Sequence, residues 1–256
     1  MNGIPHKQPH QPGARATAAP RRPVPILTYH NIGEAPPEAT HRGLYLGLDK
    51  FRSHLRSLRR RGYRGVSMDE GLPYLRGEKD GRVAIITFDD GYLDNLERAM
   101  PALQEFGFSA TCYLVAGHLG DHNAWDAAEL RVKKPLMDEG RIREWLAGGM
   151  QVGAHTMSHP HLPQLTSAQK RAEITDSRAR LQDRLGIPIE HFCFPYGDHD
   201  DECIEYIAEA RYATAVTTQR GRVLAGQDML ALPRIGNSGK RSPWVFASRA
   251  LLWRLT

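Results

Sequence analysis

Short, continuously apolar runs recur along this chain, with longer segments patterned for helices between them. The runs fall at residues 25–30, 83–88, 110–115, 151–155, 191–194, 213–217 and 230–235, with a weaker one at 65–67. They do not alternate apolar with polar, as strands with one wet face would. Strands that are apolar throughout are covered on both faces, which is how parallel sheets read. The segments between them carry helix spacing. Phe51, Leu55 and Leu58 recur at i, i+4 and i+7, and Leu93, Leu96, Met100, Leu103 and Phe106 line one helical face. Pro101 is predicted to kink or restart that second helix. Thr166 and Gln169 form a capping box that opens a helix to about Leu185, closed by Gly186 and Pro188. A further helix is predicted over 200–209, with Ile204, Ile207 and Ala208 on one side.

Strand–helix alternation over most of 256 residues predicts an α/β fold. Its expected form is a distorted (β/α) barrel of seven or eight parallel strands. Such barrels typically take about 250 residues, so residues 23–256 are expected to form one domain. Residues 1–22 are rich in Pro and basic side chains, and are expected to be a disordered tail. They hold no apolar leader segment, so the expected location is cytoplasmic. No apolar run reaches the length of a membrane span. Cys112, Cys193 and Cys203 make an odd set with no CxxC pair, which argues against a disulfide framework and a cysteine zinc site. The net charge is +5, but the basic residues are scattered apart from a run at 56–64. That run shares its helix with Phe51, Leu55 and Leu58, so it reads as a solvated helix face, and no nucleic-acid partner is expected.

In parallel α/β folds the ligand site lies at the C-terminal ends of the strands. The strand at 83–88 ends in Thr87-Phe88-Asp89-Asp90-Gly91. Adjacent carboxylates raise each other's pKa unless a positive charge lies between them, and a divalent metal is the usual remedy. The turn that Gly91 permits lets both side chains reach one site. Taken alone, the pair also fits a helix cap beside a solvated carboxylate. The strand at 151–155 ends in His155-Thr156-Met157-Ser158-His159. Two imidazoles four residues apart come to one side of a turn, and neutral imidazole is a common zinc ligand. Two histidines and one carboxylate, with a position left for water, compose a catalytic rather than a structural metal site. The strand at 191–194 runs into Phe194-Pro195-Tyr196-Gly197, a rigid turn that can present a backbone N–H to an oxyanion. Taken alone, this is also an ordinary aromatic turn.

Together, Thr87-Phe88-Asp89-Asp90-Gly91, His155-Thr156-x-x-His159 and Phe194-Pro195-Tyr196-Gly197 resemble the first three motifs of the polysaccharide deacetylase superfamily, carbohydrate esterase family 4. The resemblance spans roughly residues 24–240. It implies metal-dependent removal of N-acetyl groups from the amino sugars of a poly- or oligosaccharide. By that resemblance Asp89 is the general base and Asp90, His155 and His159 hold one divalent metal. Zn²⁺ is expected, with Co²⁺, Ni²⁺ or Mn²⁺ able to serve. Thr156 would support the ligand loop. The Tyr196 backbone N–H would hold the oxyanion, and Tyr196, Pro195 and Trp125 would meet substrate.

The chain departs from the pattern in two places. Many members carry Arg where Cys193 stands, and many carry a late histidine, whereas no histidine follows Arg234. This resembles the branch of poly-N-acetylglucosamine and exopolysaccharide deacetylases, in which an early Tyr-His takes the late histidine's part. Tyr29-His30 fits that pattern, as does Trp125-Asp126 ahead of the second motif. His30 ends the first predicted strand and is the expected acid. Arg234 ends the last and is the expected partner of Asp89. The rival expectations are a catalytically impaired carbohydrate-binding domain on the same fold and a metal phosphoesterase.

Overall fold

The computed structural model describes residues 22–224 and 226–236. In chain order the elements are β1 (Ile26–Tyr29), β2 (Asn31–Ile32), β3 (Tyr45–Leu46), α1 (Leu48–Arg60), β4 (Arg64–Val66), α2 (Met68–Leu75), β5 (Val83–Phe88), α3 (Met100–Glu105) and β6 (Thr111–Leu114). They continue with α4 (Ala127–Leu130), α5 (Glu139–Ala147), β7 (Gln151–Ala154), α6 (Ser167–Leu185), β8 (His191–Cys193), α7 (Asp201–Glu209), β9 (Thr214–Arg220) and β10 (Leu232–Gly236). Apart from Arg22, the expected tail lies outside the described residues, as does the expected domain beyond Gly236. No helix among the described residues is long and apolar enough to cross a membrane.

The main sheet runs β1-β10-β9-β8-β7-β6-β5, and β5 pairs back onto β1, which closes a seven-strand parallel barrel. The eighth strand, β4, lies outside the ring. It pairs with β5 at Val83–Ile85, while β6 pairs with the same strand only at Thr87 and Phe88. One edge of β5 is thus shared end to end by two neighbours, and this distorts the barrel. β2 and β3 form a separate parallel pair.

Strand parity divides the core in two. Ile26, Val83, Ile85, Tyr113, Cys193, Val216 and Leu232 fill the barrel interior. Leu27, Ala84, Ile86, Phe88, Cys112 and Val152 face outward into the layer of helices. Gly153 faces inward, and a Cβ there would come within 2.7 Å of the Tyr113 ring. The capping box at Thr166 and Gln169 opens α6, and Gly186 closes it in the left-handed conformation. The irregularity expected at Pro101 lies one turn earlier. Residues Asn95–Ala99 form a π turn, and α3 starts with proline in its first turn. Proline has no N–H to give and its ring crowds the carbonyl four residues back, so the wider turn precedes it.

Candidate active site

Inward parity carries several strands' last polar residues to one mouth. On β5 the inward row Val83, Ile85, Thr87 continues to Asp89, and on β10 the row from Leu232 continues to Arg234. β1 leads to His30, β7 to His155 and β8 to Cys193. Asp89 and Arg234 are 3% and 2% exposed, so neither charge is relieved by water. They pair with each other: Nη1 to Oδ1 and Nη2 to Oδ2, both at 2.7 Å. The remaining donors of Arg234 go to the Thr217 carbonyl at 2.9 Å, Thr87 Oγ1 at 3.1 Å and Cys193 Sγ at 3.3 Å. Burial alone would raise the Asp89 carboxyl, but the Arg234 guanidinium overrides it and holds the group below the usual carboxylate range. His30 Nε2 stands 3.8 Å from Asp89 Oδ2.

By parity Asp90 would point away from the mouth. Gly91 is the residue expected to make the turn, but Asp90 itself is left-handed at φ 76°, with Gly91 following at φ 82°. Its Oδ1 thereby lies 3.4 Å from His155 Nε2 and 3.3 Å from His159 Nε2. Thr156 and His159 are also left-handed, at φ 67° and 63°, as is Tyr196 at 59°. The four together fold the three motif loops inward. His159 N donates to Thr156 Oγ1 at 3.0 Å, which ties the loop between the two histidines to itself.

The chemistry of this donor set fits a cation. His155 Nδ1 lies 2.7 Å from the Cys193 carbonyl, which can only accept, so Nδ1 carries a proton and Nε2 is the nitrogen turned toward Asp90. Asp90 Oδ1 is buried without a hydrogen-bond partner. Asp90, His155 and His159 thus bring three donor atoms within 4.8 Å of one another. A second cluster of similar span, Asp89, His155 and Cys193, does not fit. Both Asp89 oxygens are taken by Arg234. Burial raises the Cys193 thiol, only partly offset by Arg234, and Sγ donates to the Phe194 carbonyl at 3.8 Å.

Aromatic rings flank the triad. Trp125 stacks on His159 with centroids 4.8 Å apart, and Tyr196 meets the same ring edge-on at 4.7 Å. His161 stacks on Tyr196 at 3.8 Å and pairs with Asp198 at 2.6 Å. Tyr196 is 42% exposed at the rim, while Pro195 is buried at the start of its turn.

The polysaccharide deacetylase family profile matches residues 76–215, more than half of the chain and all three motifs. The chain belongs to the polysaccharide deacetylase family. Its relatives include YxkH of Bacillus subtilis, which carries a polysaccharide deacetylase name and is 27% identical over 83% of this chain. They also include the poly-β-1,6-N-acetyl-D-glucosamine N-deacetylase of Staphylococcus aureus, 23% identical over 73%. The chain spans 70% of the first relative's length and 65% of the second's. The solved structure of the Streptococcus pyogenes deacetylase PplD in complex with acetate superposes with a TM-score of 0.78 at 26% identity, covering 90% of this chain and 98% of that one. This polysaccharide deacetylase is thus a hydrolase of a family that includes exopolysaccharide enzymes.

Two residues outside the motifs hold the deacetylase site together. Glu173 of α6 accepts from Met157 N at 2.8 Å, Ser158 N at 2.9 Å and Ser158 Oγ at 2.6 Å, and so pins the loop between the two histidines. Asn95 donates from Nδ2 to the His30 carbonyl at 2.7 Å. Its neighbour Asp94 accepts from Ile32 N at 3.1 Å and from Lys134 Nζ at 3.0 Å, which clamps the chain just beyond His30. Neither Glu173 nor Asn95 is part of a motif, and their partners lie 15 to 16 and 65 residues away. The π turn that starts at Asn95 is the one local signal, and it follows from Pro101.

Proposed function

We propose that this chain hydrolyses N-acetyl groups from the amino-sugar units of a polysaccharide, with one divalent cation held by Asp90, His155 and His159. The observation that carries the reading is the convergence of three potential ligand atoms within 4.8 Å of one another, next to a carboxylate paired through both oxygens with arginine. Zn²⁺ suits one carboxylate and two neutral imidazoles. Once bound it would polarise the acetyl carbonyl and acidify the hydrolytic water. Asp89 accepts a proton from that water through a carboxylate oxygen. Arg234 keeps Asp89 ionised and turned away from the donor triad, so the base does not become a fourth ligand. His30 delivers a proton to the departing amine nitrogen, which is otherwise a poor leaving group. The turn at Tyr196 offers its backbone N–H to the oxyanion. Trp125 and Tyr196 supply apolar walls for a sugar ring and its acetyl methyl.

The Staphylococcus aureus relative's name supports an N-acetylglucosamine polymer as the substrate class. Acetate release from N-acetylglucosamine oligomers, measured with and without a chelator, tests the reading. Release that the chelator abolishes and Zn²⁺ restores is expected. Binding of the oligomers without acetate release would favour a carbohydrate-binding role instead.

A further inference from the structure

At the end of the barrel opposite the mouth, a cleft of about 350 Å³ has Arg22, Arg61, Tyr63, Arg82 and Arg222 among its lining residues. Most of these positions lie where strands begin or shortly before: β1 for Arg22, β4 for Arg61 and Tyr63, and β5 for Arg82. Arg222 follows β9, and the backbone bridge between Val223 and Val24 brings it beside the start of β1. The parallel barrel therefore gathers at its base four guanidiniums that are far apart in sequence. Like charges brought together are unfavourable unless something negative joins them. Arg22 has such a partner, with Nε 3.0 Å from Asp80 Oδ1. Arg61 and Arg82 bond neutral groups instead. Arg61 Nη1 donates to Ser57 Oγ at 3.4 Å, and Arg82 Nη1 donates to the Arg61 carbonyl at 3.0 Å. Arg222 is partly withdrawn from solvent, and that burial lowers its guanidinium, with Tyr63 acting the other way.

A second cleft, of about 700 Å³ beside β2 and β3, shows the contrast. There Glu34 and Asp49 stand among Arg42, Lys50 and Arg98, and the mixed signs leave little preference for an anion. Arginines are the only charged residues lining the base cleft, with Asp80 paired to Arg22 beside it. A guanidinium presents a planar fork of donors that matches two oxygens of a phosphate group. Several forks around one concavity suit a doubly charged, three-oxygen group better than a carboxylate. The volume leaves room for a small organic body beyond the phosphate, and the Tyr63 ring offers that body a surface.

From this we infer that the base cleft is a binding site for a phosphate group carried on a small organic body, separate from the catalytic mouth. Inorganic phosphate, glycerol phosphate and a phospholipid headgroup share that chemistry. The site lies across the barrel from Asp89 and the donor triad, so a compound held there leaves the mouth open to polymer.

Titration calorimetry of the full chain with sn-glycerol 3-phosphate and with inorganic phosphate, in buffer of near-physiological salt, tests the site. Saturable binding of about one glycerol phosphate per chain is expected. Removing two forks in Arg61→Gln/Arg82→Gln should weaken it about a hundredfold, at about tenfold per charge-assisted hydrogen-bonding group. Both side chains reach solvent, so this variant should keep the wild-type melting temperature. Arg222→Gln is the deeper second test and should also weaken binding. Vesicles of phosphatidylglycerol, compared with phosphatidylcholine, separate the sources: co-sedimentation lost in the double variant identifies a lipid headgroup, and binding of the soluble phosphates alone identifies a free compound. No saturable binding by wild type, equal affinity in the double variant, or attraction that any added salt removes equally would overturn the site.

Discussion

Arg234 and Asp89 meet as a two-pronged pair across the barrel, 145 residues apart in the chain and bonded through both oxygens at 2.7 Å. Neither has water to fall back on. Arg234→Ala would leave a buried carboxylate unpaired, which typically costs about 3–5 kcal/mol. A lowered melting temperature and little activity are expected. Arg234→Lys keeps the charge but not the fork, and should retain more stability than activity. Full turnover in Arg234→Ala would remove the arginine from the mechanism.

The donor triad should behave as a unit. His155→Ala is expected to bind no stoichiometric Zn²⁺ while keeping the wild-type circular dichroism spectrum. Asp89→Asn should keep the metal and lose about 10²–10⁴ in turnover, the usual worth of a general base. Metal content by elemental analysis separates the two variants. A His155→Ala protein carrying one metal per chain would place the ligand set elsewhere.

His30 lies beside Asp89 and is held through its carbonyl by Asn95. An acid matters most when the leaving group is poor. His30→Ala should therefore depress hydrolysis of an acetamide by about 10²–10⁴ and spare an acetyl ester of an activated phenol. Asn95→Ala should show the same selectivity more weakly, because it loosens the backbone that carries the imidazole. Equal losses on both substrates would make His30 a binding or structural residue.

A pH-dependent contribution to stability lies away from the site. Lys170, buried between α6 and α7, reaches Asp200 Oδ2 at 2.5 Å and Glu202 Oε2 at 2.8 Å. Burial works against Asp200, but the lysine brings it down to about 2. The same lysine brings Glu202 to about 2. Carboxyls lowered on folding stabilise the native state above their unfolded values, and that stability is lost as pH falls toward the folded ones. Wild type should therefore exceed Lys170→Met in melting temperature at pH 7. The gap should close between about pH 4.5 and pH 2, seen by thermal melts across that range. A gap that stays constant down to pH 2 would show that lysine packing, not charge, is responsible.

Much of this fold is readable from local pattern. The run at 83–88 is β5 residue for residue, because six consecutive apolar or β-branched side chains leave no other reading. The two-residue strands β2 and β3 carry no pattern at that length, and β4 is short and starts with an exposed arginine. The pairing of Arg234 with Asp89 is foreseeable, since both end inward rows of one parallel barrel. The grip of Glu173 on the histidine loop and of Asn95 on His30 is not, because each depends on how a helix packs over a loop and leaves no periodic trace. The left-handed turn at Asp90 was hidden by Gly91, which is the obvious residue for it.

Four of the six described residues other than glycine that adopt the left-handed backbone are Asp90, Thr156, His159 and Tyr196, all at the mouth. Such conformations typically cost about 1–2 kcal/mol each in L-residues. A glycine at Thr156 or Tyr196 would relieve that cost and also slacken the loops that aim the donor triad. Selection of this chain for heat resistance alone would therefore reward changes at the positions that shape the mouth. Libraries ranked by survival of heating would enrich robust, idle proteins, and catalytic screening at each round would be needed to keep the site from being traded away.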